Sequence, residues 1–170
     1  MKAIGLLLSI VVGFWSLSSS AAPNQKKIKQ MKNQFITSGV LTGGQAGTGS
    51  TLMDIRRTAS ANKKAERVTL ALGDMDGNRS AKSTYFHTQY DDATHRVIID
   101  LSQTPNSVVD EKKLAQVFAK SSFVAKSDIS ADPEDRSLNI TLTLKKKAKV
   151  RTYQAKAKDG QALVVLDMVQ

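Results

Sequence analysis

From Leu52 onward the chain alternates apolar and polar residues again and again, the period of a strand that buries one face. The plainest stretch is Leu138-Asn-Ile-Thr-Leu-Thr-Leu144. There Leu138, Ile140, Leu142 and Leu144 fall on one side, and Asn139, Thr141 and Thr143 on the other. Arg67-Val-Thr-Leu-Ala-Leu72 repeats the pattern with Val68, Leu70 and Leu72 inward. Between Ser83 and Gln103 it predicts a β-hairpin. Residues 84–90 are aromatic and β-branched, Asp91-Asp92-Ala93-Thr94 supplies the turn, and residues 96–101 alternate once more. Phe86, Thr88, Val97, Ile99 and Leu101 should then face the core. Tyr85, His87, Gln89, Arg96, Ile98 and Asp100 should face away, with Tyr85 opposite Asp100. Strands at 52–57, 123–129, 150–153 and 163–168 bring the expected count to eight.

Residues 107–120 carry a helical period instead. Val109, Leu114, Val117 and Phe118 approximate a buried stripe, with Glu111, Lys112, Lys113 and Gln116 on the wet side. Ser107 and Asp110 resemble a capping box with Asp in place of the usual Glu. This helix should carry the chain from one half to the other. The two halves look related, because Val150-Arg-Thr-Tyr153, a turn at Lys158-Asp159-Gly160 and Leu163-Val-Val-Leu-Asp-Met168 form a weaker copy of the hairpin. Setting Asp100 on Asp167 sets Phe86 on Tyr153. Alternation alone would turn Arg151 and Tyr153 outward with Lys147 and Lys149. The doubling turns Tyr153 inward and Thr152, Gln154 and Lys156 outward, and it is preferred because it also places Leu166 and Met168 in the core.

The start of the chain reads differently. Residues 1–22 have the form of a cleaved signal peptide: Lys2, an apolar run from Ala3 to Leu17, and a small-residue exit with the cut after Ala21. Residues 23–50 read as a basic leader and Gly/Ser linker outside the core. Lys26, Lys27, Lys29 and Lys32 surround Ile28, Met31 and Phe35, followed by Gly43-Gly44-Gln-Ala-Gly47-Thr-Gly49-Ser50. The leader is expected to act as a solubilising tether, with contact to a membrane surface as the functional alternative. Residues 51–170 form the domain.

Composition narrows the chemistry. The chain has no cysteine, which excludes thiolate catalysis and zinc–sulfur sites and agrees with an exported, periplasmic protein held together by its core. A formal charge of +10 favours anionic partners. Asp74, Asp76 and Asn78 resemble the opening of a calcium loop. Gly77 then falls at loop position four and Tyr85 at position twelve, so a turn is expected. No nucleophile–base order or phosphate-binding glycine loop stands out, and neither an enzyme nor a cofactor or metal is expected. Nucleic acid fits the charge but not an exported location.

The strand patterns Leu52-Met-Asp-Ile, Arg67-Val-Thr-Leu-Ala-Leu, Arg96-Val-Ile-Ile-Asp-Leu, Leu138-Asn-Ile-Thr-Leu-Thr-Leu and Leu163-Val-Val-Leu-Asp-Met together resemble the AMIN domain. That family supplies the targeting module of periplasmic N-acetylmuramoyl-L-alanine amidases, and similar modules occur in type IV pilus secretins. The resemblance covers about residues 52–169. It implies an all-β fold, a sandwich of two symmetric four-stranded sheets, here with one crossover helix. It also implies that residues on the outer sheet faces bind peptidoglycan. Zinc hydrolase chemistry is not carried over. The candidate ligand-binding residues are Tyr85, His87, Arg96, Asp100, Asn139, Thr141 and Lys156. They offer stacking and hydrogen bonds to sugar hydroxyls, and Arg96 offers a planar fork for a stem-peptide carboxylate. The alternative is a protein-docking module that meets a secretin, pilus or amidase partner along an exposed strand edge.

Overall fold

The structure is a computed structural model that describes residues 34–47 and 49–170. The expected signal peptide and the leader lysines lie outside the described residues. No helix among the described residues is long and apolar enough to cross a membrane. In chain order the elements are β1 (Gly39–Gly43), β2 (Thr51–Ala59), β3 (Ala65–Gly73), β4 (Phe86–Asp91), β5 (Arg96–Leu101), β6 (Asn106–Ser107), α1 (Glu111–Phe118), β7 (Val124–Asp132), β8 (Ser137–Leu144), β9 (Lys149–Lys156) and β10 (Ala162–Val169).

The strands form two five-stranded sheets, ordered β6-β2-β3-β10-β9 and β1-β4-β5-β8-β7. Four strands per sheet were expected, and β1 and β6 are the additions. β6 is a two-residue strand lying parallel to β2, too short to alternate. β1 comes from the stretch read as a linker. Its residues Gly39-Val-Leu-Thr-Gly43 give one buried side chain, Leu41, at 6% exposure. An edge strand with glycine at both ends carries little period-two signal. Just before it, Ile36 exchanges backbone hydrogen bonds with Val150 of β9 at 2.8 and 2.9 Å. Just after it, the buried Ser50 hydroxyl meets Thr104 Oγ1 at 2.7 Å. Residues 34–47, 49 and 50 therefore belong to the fold and tie β9 of the first sheet to β4 of the second.

One buried cluster draws on both sheets. Leu52, Leu70 and Leu72 come from the first, Phe86, Ile99 and Ile140 from the second, and Leu114 and Phe118 from α1. The helix is shorter than the stretch 107–120. Asp110, not Ser107, caps it, accepting from the Lys113 N–H at 2.7 Å. Ser107 instead closes a turn by accepting from Val109 N–H at 3.0 Å. The exit of α1 is fastened by Glu66 of β3, which is 2% exposed. Its carboxylate accepts from Ser121 Oγ and Ser122 N–H at 2.6 Å each and pairs with Arg57 at 3.2 Å. A buried carboxylate needs several such partners to stay charged.

The internal doubling holds register for register, but not as expected. Each half sends one hairpin to each sheet: β2–β3 and β9–β10 share the first, β4–β5 and β7–β8 the second. Asp100 lies opposite His87 on β4 and Asn139 on β8. Asp167 lies opposite Arg151 on β9 and Arg67 on β3. Even the irregularities match, with a bulge between Leu52 and Asp54 on β2 and another between Val124 and Lys126 on β7. In this frame Phe86 corresponds to Val150, and Tyr153 corresponds to Gln89. The expected match of Phe86 with Tyr153 is out by three residues, and an odd slip exchanges the two faces of a strand. Thr152 is accordingly buried at 1% exposure, while Arg151 and Tyr153 point away from the core. Likewise Asp100 lies opposite His87 rather than Tyr85.

Candidate functional site

The second sheet gathers most of the candidate residues on the face turned from the core. Across its strands one row reads Thr42, His87, Asp100, Asn139, Ser130. The next row reads Val40, Gln89, Ile98, Thr141, Asp128. Alternation puts all of these on one side because the buried side takes Phe86, Thr88, Val97, Ile99 and Ile140. Tyr85 sits just before β4 on the same side, 40% exposed, and Val40 is 53% exposed. Together they add apolar surface to a polar ladder.

Arg96 is on this face but stands apart from Asp100. It pairs in register with Asp91 and Thr143. Same-face positions along a strand are about 6.6–6.8 Å apart, so two such steps separate Arg96 from Asp100 by roughly 13 Å. Arg96 thus shares the outer face with His87, Gln89 and Asp100, as alternation requires, but His87 and Asp100 lie two rows away from it. Lys156 lies elsewhere altogether. It ends β9 in the first sheet, exposed, on the parity of buried Val150 and Thr152.

Asp100 is the electrically distinctive member of the ladder. Burial pushes its carboxyl above the ordinary value, and attraction to His87 and a hydrogen bond from Ser102 only partly offset this. Asp132, at the end of β7, and Asp135, in the turn that follows, push it further up. A carboxylate in this setting gains from any ligand that brings hydrogen-bond donors. Asp74 serves a turn, as expected, accepting from the N–H groups of Asp76 and Asn78 at 3.1 and 2.8 Å. No group of three or more metal-ligating side chains forms among the described residues.

A second cluster, on the first sheet, escaped the sequence reading. Arg67 grips Asp167 with two hydrogen bonds, Nε to Oδ1 at 2.6 Å and Nη2 to Oδ2 at 3.1 Å. Arg151 Nη2 reaches Asp167 Oδ2 from the other side at 2.6 Å. Arg151 also lies over the rings of Phe35 and Tyr153, 4.5 and 5.0 Å from their centres. Burial works to raise the Asp167 carboxyl, but the hydrogen bonds from Arg67 and Arg151 outweigh it and hold it below the ordinary value. The plain alternation of β9, set aside in favour of the misaligned repeat, would have turned Arg151 toward Asp167.

The chain matches no protein-family model and no curated protein.

Proposed function

We propose that this chain is a non-catalytic module of the bacterial envelope that binds peptidoglycan through the polar ladder of the second sheet. In this reading the two sheets stack as a sandwich over their shared core, as the AMIN resemblance implies, and the signal peptide delivers the chain to the periplasm. The observation that carries it is the row Thr42, His87, Asp100, Asn139, Ser130, five polar side chains in register on adjacent strands. Such a row offers both donors and acceptors on a rigid backbone, which suits the hydroxyls and N-acetyl groups of a glycan strand. Tyr85 and Val40 supply the apolar contact. The single Trp of the chain, Trp15, falls in the signal peptide, so affinity rests on hydrogen bonds rather than on indole stacking.

The test is co-sedimentation with purified sacculi near physiological salt. Changing His87 and Asn139 together to Ala should weaken binding by about 1–3 kcal/mol, the range for hydrogen bonds lost to charged or buried partners. Lys156→Ala should leave binding unchanged, since Lys156 is on the other sheet. If the His87/Asn139 variant sediments like wild type while loss of Lys26 and Lys27 releases the protein, the leader is the contact and the ladder is not.

The docking alternative has one observation of its own. β7 ends the second sheet with a nine-residue edge. Lys126 and Asp128 blunt that edge against random pairing. Pull-down from detergent-solubilised envelope, with no retention on sacculi, would favour it over the glycan reading.

A further inference from the structure

We propose that the face of the first sheet turned from the core docks an acidic peptide segment of a protein partner. Two clefts open on this face. One, of about 360 Å³, is lined by Phe35, Thr58, Arg67, Arg151 and Asp167 among others. The other, of about 520 Å³, includes Met53, Arg56, Ala71, Arg79, Gln161 and Leu163. The pairing register makes them neighbours. The row Arg56, Thr69, Val165, Tyr153 runs between the row holding Arg67 and Asp167 and the row holding Ala71 and Leu163. The two clefts thus follow one another along the strands as a segmented groove, with Val165 and Tyr153 standing between them.

The walls are guanidinium groups. The side chains of Arg56, Arg79 and Arg67 are 81%, 74% and 51% exposed. Arg151, 26% exposed, lies over the Phe35 and Tyr153 rings and is already committed to Asp167. Carboxylates interrupt these cations. Asp54 binds Arg56 and Lys113 at 2.7 and 2.8 Å, Asp159 binds Arg79 at 2.6 Å, and Asp167 serves Arg67 and Arg151. Glu66, at the end of the groove, is neutralised by Arg57. Positive charge remains in excess, but it is spaced.

That spacing selects the ligand. A nucleic-acid or polyphosphate chain carries an anion at every repeat and would set some of them against Asp54, Asp159 and Asp167. A peptide with carboxylates separated by apolar side chains meets a cation with each acid and Met53, Leu163 or Phe35 with each apolar group. The exposed pairs Arg56–Asp54 and Arg79–Asp159 contribute little to folding, so their arginines turn to an incoming carboxylate at small cost. Planar guanidinium suits that exchange, because it receives a carboxylate with two parallel bonds. Nothing in this inference depends on glycan binding, which uses the other sheet.

Fluorescence anisotropy on the full chain tests it. The probes are a fluorescein-labelled octapeptide alternating leucine and glutamate, its leucine–glutamine counterpart, and an oligothymidylate of the same length. The glutamate peptide should bind about tenfold or more tighter than the glutamine peptide, and the oligothymidylate no tighter than the glutamate peptide. Changing Arg56 and Arg79 together to Gln should lower glutamate-peptide affinity by about tenfold with the melting temperature held, because both side chains are at the surface. Asp100→Asn should leave peptide binding as in wild type. Equal binding of the two peptides, tighter binding of the oligothymidylate, or unchanged affinity in the Arg56/Arg79 variant overturns the proposal. Sacculus binding is read through His87 and Asn139, so the two readings fail separately.

Discussion

Asp100 and Asp167 occupy the same position in two copies of one strand pattern, and their surroundings differ in sign. Each lies on an interior strand with one neighbour from each half: Asp100 on β5 at the centre of the second sheet, Asp167 on β10 beside the edge strand β9 of the first. For Asp167 the neighbours are Arg67 and Arg151, and the carboxyl is held below its ordinary value against the pull of burial. For Asp100 they are Asn139 and His87, and burial prevails, pushing the carboxyl up. The strands two places away, β2 and β7, show a matching exchange. Arg56, opposite Thr69, corresponds to Asp128, opposite Thr141, and Asp54 corresponds to Lys126. Backbone position alone therefore does not decide what an aspartate does. The same geometry gives a clamp where two guanidinium groups meet the carboxylate, and a half-buried carboxyl raised above its ordinary value where a histidine and an amide do.

The clamp should show the larger effect on stability. Asp167→Asn leaves Arg67 and Arg151 facing each other without their shared acid. The expected loss is about 2–3 kcal/mol, below the roughly 3–5 of a fully buried pair because both guanidinium groups reach solvent. The sign with pH follows from the direction of the shift. A carboxyl held below its unfolded value adds stability that is complete at neutral pH and lost as pH falls through the folded value. The gap between wild type and Asp167→Asn should thus be full near pH 7 and shrink below about pH 4. Thermal melts across that range decide it. Equal melting temperatures near neutral pH would show that the clamp is ornamental and that the contrast with Asp100 has no energetic content.

The contrast was only partly legible in the chain. Strands that bury one face keep their alternation, so β2–β5 and β7–β10 and the inward residues Val68, Phe86, Ile99 and Ile140 could be read directly. The polar ladder followed, because His87, Asp100, Asn139 and Thr141 are what remains on the other parity. β1 was hidden by its glycines and β6 by its length. The clamp was hidden for a different reason. Arg67 and Asp167 are 100 residues apart and meet only through register. Setting Asp100 on Asp167 at a fixed offset carried Phe86 onto Tyr153, but His87 pairs with Asp100 across 13 residues and Arg151 with Asp167 across 16, and that three-residue slip turned Arg151 the wrong way. Within a strand, parity carries more information than resemblance between single side chains.

Asp100→Asn tests the other side of the comparison, with a smaller effect of opposite sign. Here the folded state holds its proton more tightly than the unfolded chain does. Ionisation near pH 7 therefore opposes folding, and the penalty fades as pH falls toward the unfolded value near about 4. The variant should melt roughly 1–4 °C above wild type at neutral pH and level with it at about pH 4. The same variant should bind sacculi less well if the ladder is the glycan site. A fall in melting temperature at neutral pH would mean that Asp100, like Asp167, is a structural acid.

The sharpest test moves one environment onto the other. His87 corresponds to Arg151 and Asn139 to Arg67, so changing His87 and Asn139 together to Arg rebuilds the clamp around Asp100. The three positions are already in register and half-buried on one face, the side turned from the core. The gain in stability should be small, under roughly 2 °C in melting temperature, because charges paired on a half-buried face that still meets water are partly screened and the long side chains lose freedom. It should appear near neutral pH and vanish below about pH 4, which is the pH sign of Asp167 and the reverse of that of native Asp100. Nuclear magnetic resonance titration of the Asp100 carboxyl should follow it downward. The cost falls on binding, since a carboxylate occupied by two guanidinium groups no longer accepts from sugar hydroxyls. If the grafted chain keeps its full affinity for sacculi while its Asp100 titrates like Asp167, then the carboxylate is not what the ladder offers its ligand, and the neutral side chains of Thr42, Ser130 and Thr141 carry the contact instead.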